Sequence, residues 1–132
     1  MITAAAFLLP TLPGCSPAAS VYKTSVSPEK FISVPELLFL KSGDVQIIRP
    51  EGWIYDIALQ KKDDGKFFAL LLRCTHMDNQ LSQDSGGYIC HLHGSRFNTN
   101  GEVIKGPAER NLESLPAAPD GKGNIQINVK NI

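Results

Sequence analysis

Short apolar runs, each closed by a turn signal, set the pattern of this chain. Residues 45–49 form a brief run rich in Val and Ile, and residues 53–59 partly alternate between apolar and polar. Asp64-Gly65 separates that stretch from Phe67-Phe68-Ala69-Leu70-Leu71-Leu72, and a DG pair between apolar runs is a hairpin signal. The run at 67–72 is too continuous for a half-exposed strand, so it is expected in the core, leading directly into Cys74. Gly86-Gly87 turns into Tyr88-Ile89, a strand that delivers Cys90, and Asn100-Gly101 joins 96–98 to 102–105 as a second tight hairpin. Residues 120–123 turn into a last alternating strand at 125–129. Only 36–40 reads as a helical turn, and no long amphipathic helix is present. Short strands with frequent turns predict an all-β domain, an antiparallel sandwich or barrel.

Within this pattern Trp53 and Tyr55 are expected to pack from a strand into the core. Lys61, Lys62, Asp63 and Asp64 are expected simply to be solvated beside their turn. At 132 residues there is room for one domain with one core, and no apolar run approaches the roughly 20 residues that span a bilayer. The net charge is zero and 20% of residues are charged, which leaves no basic stripe for a nucleic acid.

The first 20 residues differ in kind from the rest. They carry no charge, and 2–12 is small or apolar before Pro13-Gly14-Cys15-Ser16. This resembles the hydrophobic core and cleavage site of a bacterial lipoprotein signal, with Cys15 as the residue to be lipidated. A charged leading region and a twin-arginine pair are both missing, so the export route stays open. The expected division is therefore 1–30 as signal and tether and 31–132 as the domain. An acyl anchor would hold that domain at the extracytoplasmic face of a membrane, with a cytoplasmic location as the alternative.

The chemistry lies in Cys74-Thr75-His76 and Cys90-His91-Leu92-His93-Gly94-Ser95, a C-x-H pair and a C-x-x-H pair with thirteen residues between them. Thiolates are soft, charged donors and imidazoles are neutral ones. Zinc takes the same four ligands, but usually with the two Cys on one element and the two His on another. Here each pair mixes one of each, which suits a two-iron cluster better than a single zinc ion. The remaining Cys15 sits in the export-like segment.

This order and spacing resemble the ligand signature of the Rieske family, and the resemblance runs from about Phe31 onward. Residues 90–98 look like the family's second cluster loop, and Gly106-Pro107-Ala108-Glu109-Arg110-Asn111-Leu112 looks like its proline loop. The resemblance implies a Rieske fold: an antiparallel β base carrying a small subdomain, about 73–112, made of two ligand loops. It implies a 2Fe–2S cluster and one-electron transfer. Two imidazoles in place of two thiolates leave less negative charge on the cluster, which raises the potential to roughly −150 to +300 mV from about −400 mV.

Departures from the family pattern sharpen the expectation. Asn79 and Leu92 stand where relatives in cytochrome bc-type complexes carry two cysteines that form a disulfide, so that bridge is impossible here. Ser95 matches the serine that donates a hydrogen bond to a bridging sulfide, whereas Phe97 lacks the hydroxyl of the tyrosine that supplies a second donor. An intermediate potential is expected. Gly106 and Pro107 would cover the cluster, His91 would face solvent as a non-ligand, and Asp78, Asp84 and Ser85 would be ordinary polar loop residues.

Partners are expected at the exposed His76/His93 tip: a c-type cytochrome or a quinol-oxidising cytochrome b, as for a subunit of a quinol–cytochrome oxidoreductase. The missing disulfide keeps open a soluble ferredoxin feeding an oxygenase, and the donor set keeps open a non-redox zinc module. An oxygenase in its own right would need a second iron site, for which there is neither spare His nor spare length.

Overall fold

In residues 20–132, which the computed structural model describes, twelve short strands form three sheets. The five-stranded sheet is built from β1 (Val21–Thr24), β3 (Val45–Pro50), β4 (Ile57–Lys61), β5 (Phe67–Leu71) and β10 (Ser114–Leu115), in the order β1-β3-β4-β5-β10. A three-stranded sheet holds β11 (Ala117–Pro119), β12 (Asn124–Asn128) and β2 (Phe31–Pro35). The third sheet runs through β6 (Ser82–Asp84), β7 (Gly87–Ile89), β8 (Arg96–Asn98) and β9 (Val103–Lys105). All named pairings are antiparallel except β1 with β3.

The register explains why the central run is so continuously apolar. Ile48, Ile57 and Leu71 lie side by side across β3, β4 and β5, and belong to a core shared with Ile32, Val34, Ile125 and Ile127 of the three-stranded sheet. Their neighbours Ile47, Ala58 and Leu70 belong to a second core shared with Tyr88, Phe97, Cys74 and Cys90. The five-stranded sheet therefore buries both faces. A strand buried on both faces loses its polar alternation, as 67–72 does.

The hairpins expected at 64–65 and 100–101 form, the second with a register irregularity beside Phe97. A single turn of 3-10 helix occupies Glu36–Leu38. Two differences stand out. The strand expected over 53–59 begins only at Ile57, because Gly52 takes a φ of +74° after Pro50 and Trp53 N–H donates back to the Pro50 carbonyl. Trp53 and Tyr55 still pack half-buried against the first core, but from a loop. Val21–Thr24, inside the stretch expected to be tether, forms the β1 edge. Lys62 is also more engaged than expected: its ammonium donates to Asn100 at 2.7 Å and lies 4.7 Å from the Phe68 ring centroid.

One glycine is indispensable to the third sheet. Gly87 has φ +146°, and a Cβ there would sit 2.1 Å from the Phe97 carbonyl oxygen across the β7–β8 pairing.

Candidate metal centre

The two ligand loops are folded by the same backbone scheme. In the first, Cys74 N–H donates to the Asn79 carbonyl at 2.8 Å and the Cys74 carbonyl accepts from Asp78 N–H at 2.9 Å. In the second, Cys90 N–H donates to the Ser95 carbonyl at 2.8 Å and the Cys90 carbonyl accepts from Gly94 N–H at 2.9 Å. Each loop thus pins its cysteine through residues four and five positions later. Each also turns through a left-handed residue at the fourth, Asp78 at φ +56° and Gly94 at φ +83°. An Arg73–Gln80 bridge closes the base of the first loop, and β7 and β8 frame the second.

This scheme sends the sulfurs inward and the rings outward. Cys74 and Cys90 are each 1% exposed and are free thiols. His76 and His93 are exposed, with ring centroids 5.0 Å apart and planes at 80°. The loops therefore bring all four expected donors to one end of the domain, layered as two thiols beneath two imidazoles. Two buried thiols and two exposed imidazoles on paired loops are the donor types that a mixed-ligand iron–sulfur cluster takes.

The surroundings suit a negatively charged sulfur cluster. Burial pushes the Cys90 thiol up, but donation from the His93 and Leu92 backbone N–H groups, the Cys74 thiol and the Asn79 amide outweighs it, so its pKa lies below the ordinary thiol value. Ser95 is wholly buried, and its Oγ accepts the Ala108 N–H at 3.0 Å. Among the described residues that hydroxyl makes no bond as donor, which leaves its proton for an acceptor outside the chain. A bridging sulfide fits.

The proline loop closes the third side. Gly106 and Pro107 are exposed and joined by a cis peptide, and Ala108 behind them is buried. This loop is clamped to the first ligand loop by reciprocal bonds: Thr75 O–H donates to the Arg110 carbonyl at 2.6 Å, and Arg110 Nη2 donates to the Thr75 carbonyl at 3.3 Å. Thr75, His76, Pro107, Glu109 and Arg110 line a shallow depression beside the imidazoles. His91 faces solvent as expected.

Several supporting residues gave no signal in the sequence. Tyr55 O–H donates to the Asp78 carbonyl at 2.6 Å, steadying the left-handed turn of the first loop. Arg73 joins Glu113 at 3.0 Å and reaches Asp78 at 3.7 Å. Asp84 lies on β6, away from the ligands, and pairs with Arg96. The Tyr55 contact ends on a backbone carbonyl, which every residue possesses, and the Arg73–Glu113 and Asp84–Arg96 pairs join residues far apart in the chain, so no local pattern marks them in advance. Cys15 lies outside the described residues.

Fold and donor set together define a class: a small all-β domain that carries a Cys/His pair on each of two matching loops. The Rieske 2Fe-2S domain family matches residues 38–116. The cytochrome b6-f complex iron-sulfur subunit of Synechococcus sp. (strain JA-3-3Ab) is 34% identical over 96 residues, covering 70% of this chain and 55% of that protein. The ubiquinol-cytochrome c reductase iron-sulfur subunit of Rhodobacter capsulatus is 37% identical over 65 residues, covering 46% of this chain and 34% of its own length. Among solved structures, the plasma membrane Rieske protein PetC3 of Synechocystis PCC 6803 has a TM-score of 0.50 at 28% identity, over 56% of this chain and 77% of that one. Naphthalene 1,2-dioxygenase shares the fold at a TM-score of 0.59 and 20% identity, over 78% of this chain and 26% of that one.

The chain belongs to the Rieske family. Its cofactor is a Rieske-type 2Fe–2S cluster. It spans about half the length, or less, of these curated relatives.

Proposed function

We propose that Cys74 and Cys90 hold the buried iron, that His76 and His93 hold the exposed one, and that the domain passes single electrons through those imidazoles within a quinol-oxidising cytochrome chain. The observation that carries this reading is the layering of two buried thiols beneath two exposed rings 5.0 Å apart. When bound, the cluster supplies a one-electron couple. The chain's residues do the rest: the loops fix the donors, Ser95 offers a proton to the cluster, and Met77, Leu92 and Pro107 leave an exposed, partly apolar rim around the rings. A partner can displace water from such a rim at little cost. The similarity to iron-sulfur subunits of cytochrome b6-f and ubiquinol-cytochrome c reductase complexes supports a membrane cytochrome as donor and a c-type cytochrome as acceptor.

In this reading the segment before the domain carries the export signal, and Cys15 the lipid that holds the protein at the extracytoplasmic face. Among the described residues no helix is long and apolar enough to cross a membrane. One observation favours a second reading, a ferredoxin serving an oxygenase: Asn79 and Leu92 cannot make the disulfide of the bc-type relatives.

Reduced protein examined by EPR, with iron and labile sulfide measured on the same sample, tests the ligand assignment. Two irons, two sulfides and an average g value below that of an all-Cys cluster are expected; zinc or an all-Cys spectrum would overturn it. A midpoint well above zero supports the cytochrome chain, and one near about −150 mV the ferredoxin.

A further inference from the structure

Asn79 stands where a disulfide cysteine would be, and Leu92, the other half of that missing bridge, offers no polar group to meet it. Leu92 is 59% exposed at the tip. The Asn79 carboxamide instead crosses the gap between the two ligand loops, and its Nδ2 donates to Cys90 Sγ in a long N–H···S contact of 4.0 Å. Its backbone carbonyl meanwhile closes its own loop on Cys74 N–H. One residue therefore touches both loops, through its main chain on one cysteine and its side chain on the other.

A second gap is filled by the same contact. Phe97 is buried in the cluster-side core and has no hydroxyl to offer a ligand sulfur. We infer that Asn79 substitutes for both absent groups: it ties the two ligand loops together in place of the disulfide, and it donates to a ligand sulfur in place of the lost hydroxyl. The inference rests on the assignment of Cys90 as a ligand. A donor to thiolate sulfur favours the state with more negative charge, which is the reduced cluster. Asn79 is thus a positioning residue that raises the midpoint, and the family pattern of a bridge at 79 and 92 has been exchanged for a hydrogen bond from 79 to 90.

Asn79→Leu keeps the size of the side chain and removes the donor. Poised at the wild-type midpoint, the variant is expected to show a reduced-to-oxidised ratio lower by about tenfold, which is ~59 mV for one electron. Its Fe–S(Cys) stretching bands in resonance Raman should shift, while its EPR spectrum keeps the g values of mixed Cys/His ligation. Asn79→Asp, nearly isosteric and unable to donate when ionised, should lower the ratio further and decides the matter if the leucine variant does not load iron. A loaded variant with the wild-type midpoint and unmoved Fe–S bands overturns the role of Asn79. A wild-type spectrum without mixed ligation overturns the ligand assignment instead, so the two failures are told apart.

Discussion

Ser95 has one oxygen and two duties. Its lone pair holds the Ala108 N–H of the proline loop, and in the proposed reading its proton is donated to the cluster. Ser95→Ala should lower the midpoint in a redox titration, because the reduced cluster loses a donor, and should also destabilise the fold by about 1 to 3 kcal/mol by stranding a buried N–H. Denaturant melts of the same variant check the second effect. An unchanged midpoint would remove Ser95 from the tuning role. The four ligand candidates and Ser95 were legible in the sequence because iron–sulfur chemistry accepts few residue types at narrow spacing. Asn79 was legible only as an absence. The sequence shows that a cysteine is missing there, but the direction of a carboxamide depends on how two loops face each other, and thirteen intervening residues do not encode that locally. Asp84 illustrates the opposite failure, an unremarkable loop carboxylate in the sequence that the third sheet aligns with Arg96.

The ligand loops hang from strand ends, and the third sheet fixes the second of them. At Gly87 the β7 backbone faces the Phe97 carbonyl of β8, and no side chain fits between them. Gly87→Ala is expected to cost about 3 kcal/mol or more, since the clash is with backbone and cannot be relieved by a rotamer change. Purified variant should carry less iron per chain and melt lower than wild type. Full iron loading with an unchanged melting temperature would contradict the close packing drawn here. Elements closed by Asp64-Gly65, Gly86-Gly87 and Asn100-Gly101 were readable because turn chemistry is local. Strands such as β6, β10 and β11, two or three residues long, carry too few positions for a period to show. The strand expected over 53–59 lost its first half to the Gly52 turn, and the stretch after it is held by tertiary partners: Asp56 makes a two-pronged pair with Arg49 at 2.8 and 2.7 Å, and its N–H is held by the Gln80 side chain. Alternation alone does not reveal a partner 24 residues away.

The whole domain has two cores on opposite faces of one sheet, and they differ in what completes them. The first is sealed by aliphatic and aromatic side chains alone. The second includes Cys74 and Cys90, so under the proposed ligation part of its interior belongs to the cluster. Stripping iron with a chelator should therefore cut hydrogen-exchange protection of β6 to β9 by at least about tenfold, a loss of ~1.4 kcal/mol of local stability, while β2 and β12 keep theirs. Uniform loss across all three sheets would mean the two cores are one cooperative unit.

The parallel pairing of β1 with β3 has a mechanical consequence. Residues 21–30 are sewn into the body of the domain, so under the proposed membrane-tethered reading that decade of chain gives a tether no slack. Fully extended, those ten residues would have added about 35 Å to the arc through which the imidazole tip could swing between one redox site and the next. In the proposed membrane-tethered reading, the reach of the domain would then be changed by inserting residues ahead of β1, not by loosening the domain.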